Sequence, residues 1–301
     1  MRITTAYRTE LALRHIQGNV ARMSELEAQV ATGKRFTRMS EDPAAGAQIL
    51  RLDRTARGLD QYARNAAAAQ VRLGAEQAVI SQVDDLMRQA RDFALSFARG
   101  DPPDTPTQAA ERKVAADQLT RLLDDAVAMG NTRIGNEYIL GGSVSTTPPF
   151  DPTPGATLGN YQGDARPRQI EVADGVFVAP NHAGDQYLAP VLAALRTLRD
   201  AVDPANLQTE AQVQIEVQNL FLASQTLQVS LAETGSTGNR ILSAERNNGA
   251  IKRDLANVRG NLVDVPLEES IAKLLSLQTT IEASYAATSR MLSLSLSDYL
   301  R

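Results

Sequence analysis

No cysteine occurs in the 301 residues, so disulfides and thiolate metal sites are excluded, and the chain suits an oxidising or a reducing compartment equally. Tryptophan is absent and aromatics make up 4%. Helix seams must then be built from Leu, Ile, Val and Ala, which favours long thin helices over a thick globular core. Charge of one sign is also scarce. The net charge of -4 gives no basic excess to draw the chain to nucleic acid or anionic lipid. No apolar run approaches the roughly 18 to 20 residues a membrane span needs, and Arg8, Glu10 and Arg14 break any signal-peptide core, so neither membrane insertion nor cleavable-signal secretion is expected.

What is present is helical periodicity. Leu13, Ile16, Val20, Met23 and Val30 recur at threes and fours with one lapse at Glu27, where neighbouring Leu26 can substitute, which predicts an amphipathic helix that stops at Thr32-Gly33. Asp42-Pro43 reads as an N-cap followed by Pro at the first helical position, opening a longer helix whose later seam is Val79, Val83, Leu86, Ala90, Phe93 and Phe97. Thr105-Pro106-Thr107-Gln108 reads as a capping box for a third helix that Gly130 closes. Between Gly141 and Pro190 fall seven of the 13 prolines, and the helical period vanishes. There Ile170 and Val172, then Asp174-Gly175, then Val176 and Val178 predict a β-hairpin. Helices return at Leu192, Leu195 and Leu198, strengthen through Val213 to Leu231, and continue from Ile241 to Val265. Pro266 interrupts. A last series in a new phase runs Leu267, Ile271, Leu274, Gln278, Ile281, Tyr285, Thr288, Leu292, Ser295 and Tyr299.

The expected fold is mainly α with a small β insertion, a long antiparallel helical bundle or coiled coil in which the N- and C-terminal regions pair. Five segments follow: an N-terminal helix over 1–40, inner helices over 41–142, a separate β-rich unit over 143–186, inner helices over 187–265, and a C-terminal helix over 266–301. A terminal helix with one apolar stripe cannot bury it alone. Leu13, Ile16, Val20, Met23, Leu274, Ile281, Tyr285, Leu292, Leu296, Tyr299 and Leu300 are therefore candidate subunit-packing residues, with Ile281 and Leu292 expected to be buried only after assembly. Gly33, Asp42, Pro43 and Pro266 are candidate helix junctions.

Chemistry is sparse. His15 and His182 have no ligand-spaced neighbours, and no catalytic, metal or cofactor site is expected. Asp84-Asp85 and Asp124-Asp125 read as solvated helix faces, Glu268-Glu269 as favourable first-turn charge. Gly141-Gly142-Ser143 has no phosphate-loop spacing and reads as a loop entering the β unit. An enzyme or ligand-binding protein with its site in the β unit would need a convergent polar cluster, which the sequence does not suggest.

The stretch EAQVATGKRFTRMSEDPAAG over Glu27 to Gly46 resembles the N-terminal signature of the flagellar hook-associated protein 3 family, the hook-filament junction proteins of the bacterial flagellin superfamily. NEYILGGSVSTTPPF (136–150) and YQGD (161–164) are similar to that family's entry into its middle domain, and ASYAATSRMLSLSLSDYL (283–300) to its C-terminal end. Met39, where the family often has proline, Glu41, where it has aspartate, and Pro266, near which an acidic residue is usual, are departures. Filament flagellin is the alternative, but Asp42-Pro43 and the Asp298-Tyr299-Leu300 ending favour the junction family. The resemblance implies a structural, secreted motility protein, exported unfolded by the flagellar type III apparatus and located in the bacterial flagellum at the hook-filament junction. Its implied partners are the first hook-associated protein, flagellin, copies of itself in a ring, and a dedicated export chaperone on the C-terminal region. Terminal helices would form an inner tube, inner helices a middle shell, and the β unit would face outward.

Overall fold

The computed structural model describes residues 5–97, 106–155, 157–206 and 208–299, without the side chains of several residues near the ends of the first, second, third and last helices. Among them are six helices: α1 Thr5–Thr32, α2 Pro43–Phe97, α3 Pro106–Gly130, α4 Leu188–Val202, α5 Glu210–Val263 and α6 Leu267–Tyr299. Two antiparallel pairs, β1 Arg133–Ile134 with β2 Glu137–Tyr138 and β3 Ile170–Ala173 with β4 Val176–Val178, and a 3-10 turn at Pro204–Asn206 complete the described secondary structure. The expected helices and the β3–β4 hairpin are there. The short β1–β2 pair was missed, because two-residue strands are too brief to show any alternation.

The chain divides into two compact units, residues 1–58 with 251–301, and residues 59–250. Both boundaries fall inside continuous helices, α2 and α5. The second unit holds a large core. Val79, Ile80, Val83 and Met87 of α2 meet Leu119 and Leu123 of α3, Leu192, Leu195 and Leu198 of α4, and Leu220 and Leu227 of α5. Their threes and fours place each set on one face of its helix, and each buried aliphatic side chain contributes about 1.5 to 3 kcal/mol. Asp84, expected on a solvated face, is buried and paired with Arg88 one turn on. Its place in the seam between Val83 and Met87 turns it inward.

Residues 143–186 have no core of their own. Phe150 and Leu158 belong to the main core of the second unit, while Val172 and Val178 pack on Ala66, Ala69 and Leu73 of α2 and on Ile241 of α5. Alanines on α2 let the hairpin approach closely. Asn65 Nδ2 then donates to the Glu171 carbonyl (2.8 Å) and Asn248 Nδ2 to the Val172 carbonyl (2.8 Å), satisfying hairpin backbone that water would otherwise need to reach. The expected separate β unit is thus an inserted layer of the second unit, since a two-stranded hairpin cannot bury enough surface to stand alone.

Candidate functional site: the terminal helix pair and the middle motif

In the first unit α1 and α6 pack on each other. Their relative direction is set where the two inter-helix connections meet. Lys34 and Asp264 form an antiparallel bridge, with Arg35 N–H donating to the Val263 carbonyl (2.7 Å) and Val265 N–H to the Gly33 carbonyl (3.0 Å). α1 ends at this bridge and α6 begins beyond it, so the two helices run antiparallel. Ile16 lies 18 residues before Lys34 and Ile281 lies 17 residues after Asp264, about 27 and 26 Å along helices that rise 1.5 Å per residue. They come opposite each other, and both are buried, at 4% and 6% exposure. Counting from the same bridge pairs Met23 with Leu274, both half-buried, and Leu13 with Tyr285, both exposed (48% and 55%). Val20 is exposed as well.

Ile281 is therefore buried within the single chain and does not wait for a neighbour. Leu292, Leu296, Tyr299 and Leu300 lie outside the residues whose side chains are described. The junction residues behave as their chemistry demands. Gly33 holds φ of 68°, a left-handed value that a Cβ would strain, and so ends α1 and turns the chain into the bridge. Asp42 Oδ1 accepts from Ala45 N–H (3.0 Å), which caps α2 ahead of Pro43. Pro266 has its carbonyl accepting from Ser270 N–H (3.0 Å) as α6 opens.

A second constellation lies in the second unit, where the segments 136–150 and 161–164 form one knot. Ser143 N–H and Oγ both bond Asp164, whose carboxyl this pair of bonds holds below its ordinary range. Tyr161 OH donates at 3.0 Å toward the Leu140 and Asp164 carbonyls, and burial raises its pKa. Gly142, at φ 69°, lies so close that a Cβ would land on the Asp164 carbonyl oxygen. Phe150 fits between Gly130 and Gly184, since a Cβ on either would come within 2.7 Å of its ring. Sequence reasoning saw the Gly-Gly-Ser loop but not its partner, because 21 residues separate Ser143 from Asp164.

Nearby, Glu76 of α2 is fully buried and accepts from His182 N–H (3.2 Å), His182 Nδ1 (3.0 Å) and Tyr187 OH (3.0 Å). The hydrogen bond to Glu76 raises the imidazole pKa against the opposing effect of burial. Desolvation, with the same carboxylate, raises that of Tyr187. This cluster was not legible either, since 106 residues separate Glu76 from His182. Among the described residues no three His, Cys, Asp or Glu side chains group as metal ligands, and no helix is long and apolar enough to cross a membrane.

Residues 3–145 match the bacterial flagellin N-terminal helical region. Along its whole length the chain is similar to flagellar hook-associated protein 3 of Salmonella typhimurium, 25% identical over 334 residues that cover 98% of each protein. Flagellar hook-associated protein 3 of Escherichia coli matches as fully, 25% identical over 321 residues that cover 98% of each protein. Its fold agrees with that of a solved hook-associated protein from Vibrio parahaemolyticus, at TM-score 0.65 and 19% identity, covering 74% of this chain and 100% of that one. Flagellin similarity is partial: the B-type flagellin of Pseudomonas aeruginosa is 33% identical over 122 residues, which cover 40% of this chain and 24% of the flagellin. The Lys34 side of the bridge, the cap at Asp42 and the middle knot all fall on the motifs that carry this resemblance.

Proposed function

We propose that this chain is a non-catalytic axial protein of the bacterial flagellum that joins the hook, through the first hook-associated protein, to the flagellin filament. The observation that carries this reading is similarity to hook-associated protein 3 from one end of the chain to the other, against a flagellin match confined to part of it. Export unfolded through the flagellar type III apparatus, a chaperone on the C-terminal region, a ring of copies and a place outside the cell belong to the same proposal. So does a layered arrangement with the terminal segments 1–40 and 266–301 innermost. In its support, the paired terminal helices leave Leu13, Val20 and Tyr285 exposed in a single chain, which is apolar surface that neighbouring subunits would cover.

Deleting the gene from its bacterium tests this. The expected result is cells that keep hooks, lack filaments and shed flagellin into the medium, with filaments restored when the gene is returned. Filaments persisting in the deletion strain would sink the proposal. Long polymers grown from the purified protein alone would favour a filament flagellin.

A further inference from the structure

We infer that the bridge between Gly33–Arg35 and Val263–Val265 is the register clamp of the terminal helix pair, and so decides which apolar residues that pair buries and which it displays. The inference rests on the proposed packing role of the displayed residues, but concerns a property of the single chain.

Two helices can be held in register by interlocking seams, by charge pairs between them, or by a fixed point at one end. Among the residues whose side chains are described, the α1–α6 seam supplies little interlock. Ile16 and Ile281 are its deeply buried pair, and the neighbouring partners Met23 and Leu274 are half-buried. These side chains are interchangeable in kind, so a slip of one heptad that set Ile16 against Leu274 would bury an equivalent aliphatic pair. The ion pairs Glu10–Arg14 and Glu269–Lys273 each run within one helix.

The bridge is different, because it is made of backbone. Its two hydrogen bonds hold Arg35 on Val263 and Val265 on Gly33, and a one-residue slip would break both. The surroundings support it from both sides. Gln29 Nε2 donates to the Arg35 carbonyl (3.2 Å), and Val265 is buried. Asp264 N–H bonds back to the Gly260 carbonyl (2.7 Å), and a Cβ on Gly260 would sit 3.1 Å from the Asp264 carboxylate. With the bridge made, Leu13, Val20 and Tyr285 are among the large apolar side chains left outside, together with Leu11, Ile271 and Leu275. A slipped pair would offer neighbours a different set.

The lack of cysteine makes the register directly measurable by oxidative cross-linking of paired cysteines in the purified full chain. Ile16→Cys with Ile281→Cys reports the clamped register, and Ile16→Cys with Leu274→Cys the register slipped by seven residues. With the bridge intact the first pair should cross-link at least tenfold faster. Arg35→Pro removes the N–H that Val263 accepts while suiting the extended residue before it, and should bring the two rates within about threefold. Arg35→Ala, which keeps the N–H, should preserve the original ratio. An unchanged preference in Arg35→Pro overturns the clamp, as does free cross-linking of the slipped pair with the bridge intact. Loss of both cross-links in Arg35→Pro overturns it too, since the bridge would then dock α1 without choosing its register. None of these outcomes bears on whether the chain joins hook to filament, which the deletion strain reads separately.

Discussion

The two units solve the same problem at different depths. In residues 59–250 four helices and the inserted loops share one core, so that Leu195 and Leu198 are surrounded on every side. In residues 1–58 with 251–301, two helices facing each other bury Ile16 and Ile281, half-bury Met23 and Leu274, and leave Leu13, Val20 and Tyr285 in water. Both stripes look alike on a helical wheel. Burial depends on how many neighbours an element finds, and a pair of helices can cover only one narrow seam. The first unit thereby closes only a narrow seam, while the second, though it too exposes Ile215, Phe221 and Val229, closes a full core.

Truncation breaks the comparison most sharply. Leu198→Ala in the second unit removes a fully enclosed side chain and should cost about 2 to 5 kcal/mol, read as a fall in the main thermal transition. Leu13→Ala in the first unit should leave that transition unmoved yet weaken filament attachment in cells.

Ile281→Asp should come next. It forfeits about 1.5 to 3 kcal/mol of burial, and the helices would part to let the new charge reach water rather than hold it in the seam. Limited proteolysis should then remove α1 and α6 well before the parent loses them, with the melt of the second unit intact and filaments absent from cells. A collapsed melt would mean that the terminal pair supports the larger core after all.

Gly142→Ala probes the knot. Left-handed backbone strain alone costs about 1 to 3 kcal/mol, and the clash with the Asp164 carbonyl adds to it, so the second unit should melt lower. Gly18→Ala on α1, where nothing lies within 4 Å, should be neutral or slightly stabilising.

The smallest effect is on pH. Because Glu76 raises the folded pKa of His182, the pair's contribution is complete below the ordinary imidazole value of about 6.5 and fades as pH climbs through the raised one. Melting temperatures of the second unit measured from pH 5 to 9 should fall gently across that range, and His182→Asn should flatten the slope.

What could be read from the residues was whatever repeats or punctuates locally. The helix ends at Gly33, Asp42, Gly130 and Pro266, and the turn at Asp174-Gly175, each rest on one or two residues with fixed conformational preferences. Depth was not readable, since Val20 and Ile16 share a stripe yet differ in exposure once α6 arrives. Nor was the company kept by polar groups. Glu76 carries no local mark that separates it from exposed carboxylates of the same helix such as Asp85 and Asp92, and only the fold brings His182 and Tyr187 to it. Of the packing candidates, spacing identified the stripe, and only the packing of α1 on α6 sorted its described members into buried and displayed.

The knot around Phe150 also has a consequence in time. Asn131 with Phe150, Leu140 with Tyr161, and Ser143 with Asp164 are 19, 21 and 21 residues apart, whereas Glu76 and His182 are 106 apart. Closing a short loop costs less chain entropy than closing a long one, so the knot can condense from a freely moving thread before the helices that flank it have found each other. A chain that starts unfolded would then carry its own seed near its midpoint. From there the order of closure runs outward, with the Glu76 cluster sealing the second unit and the two ends meeting last.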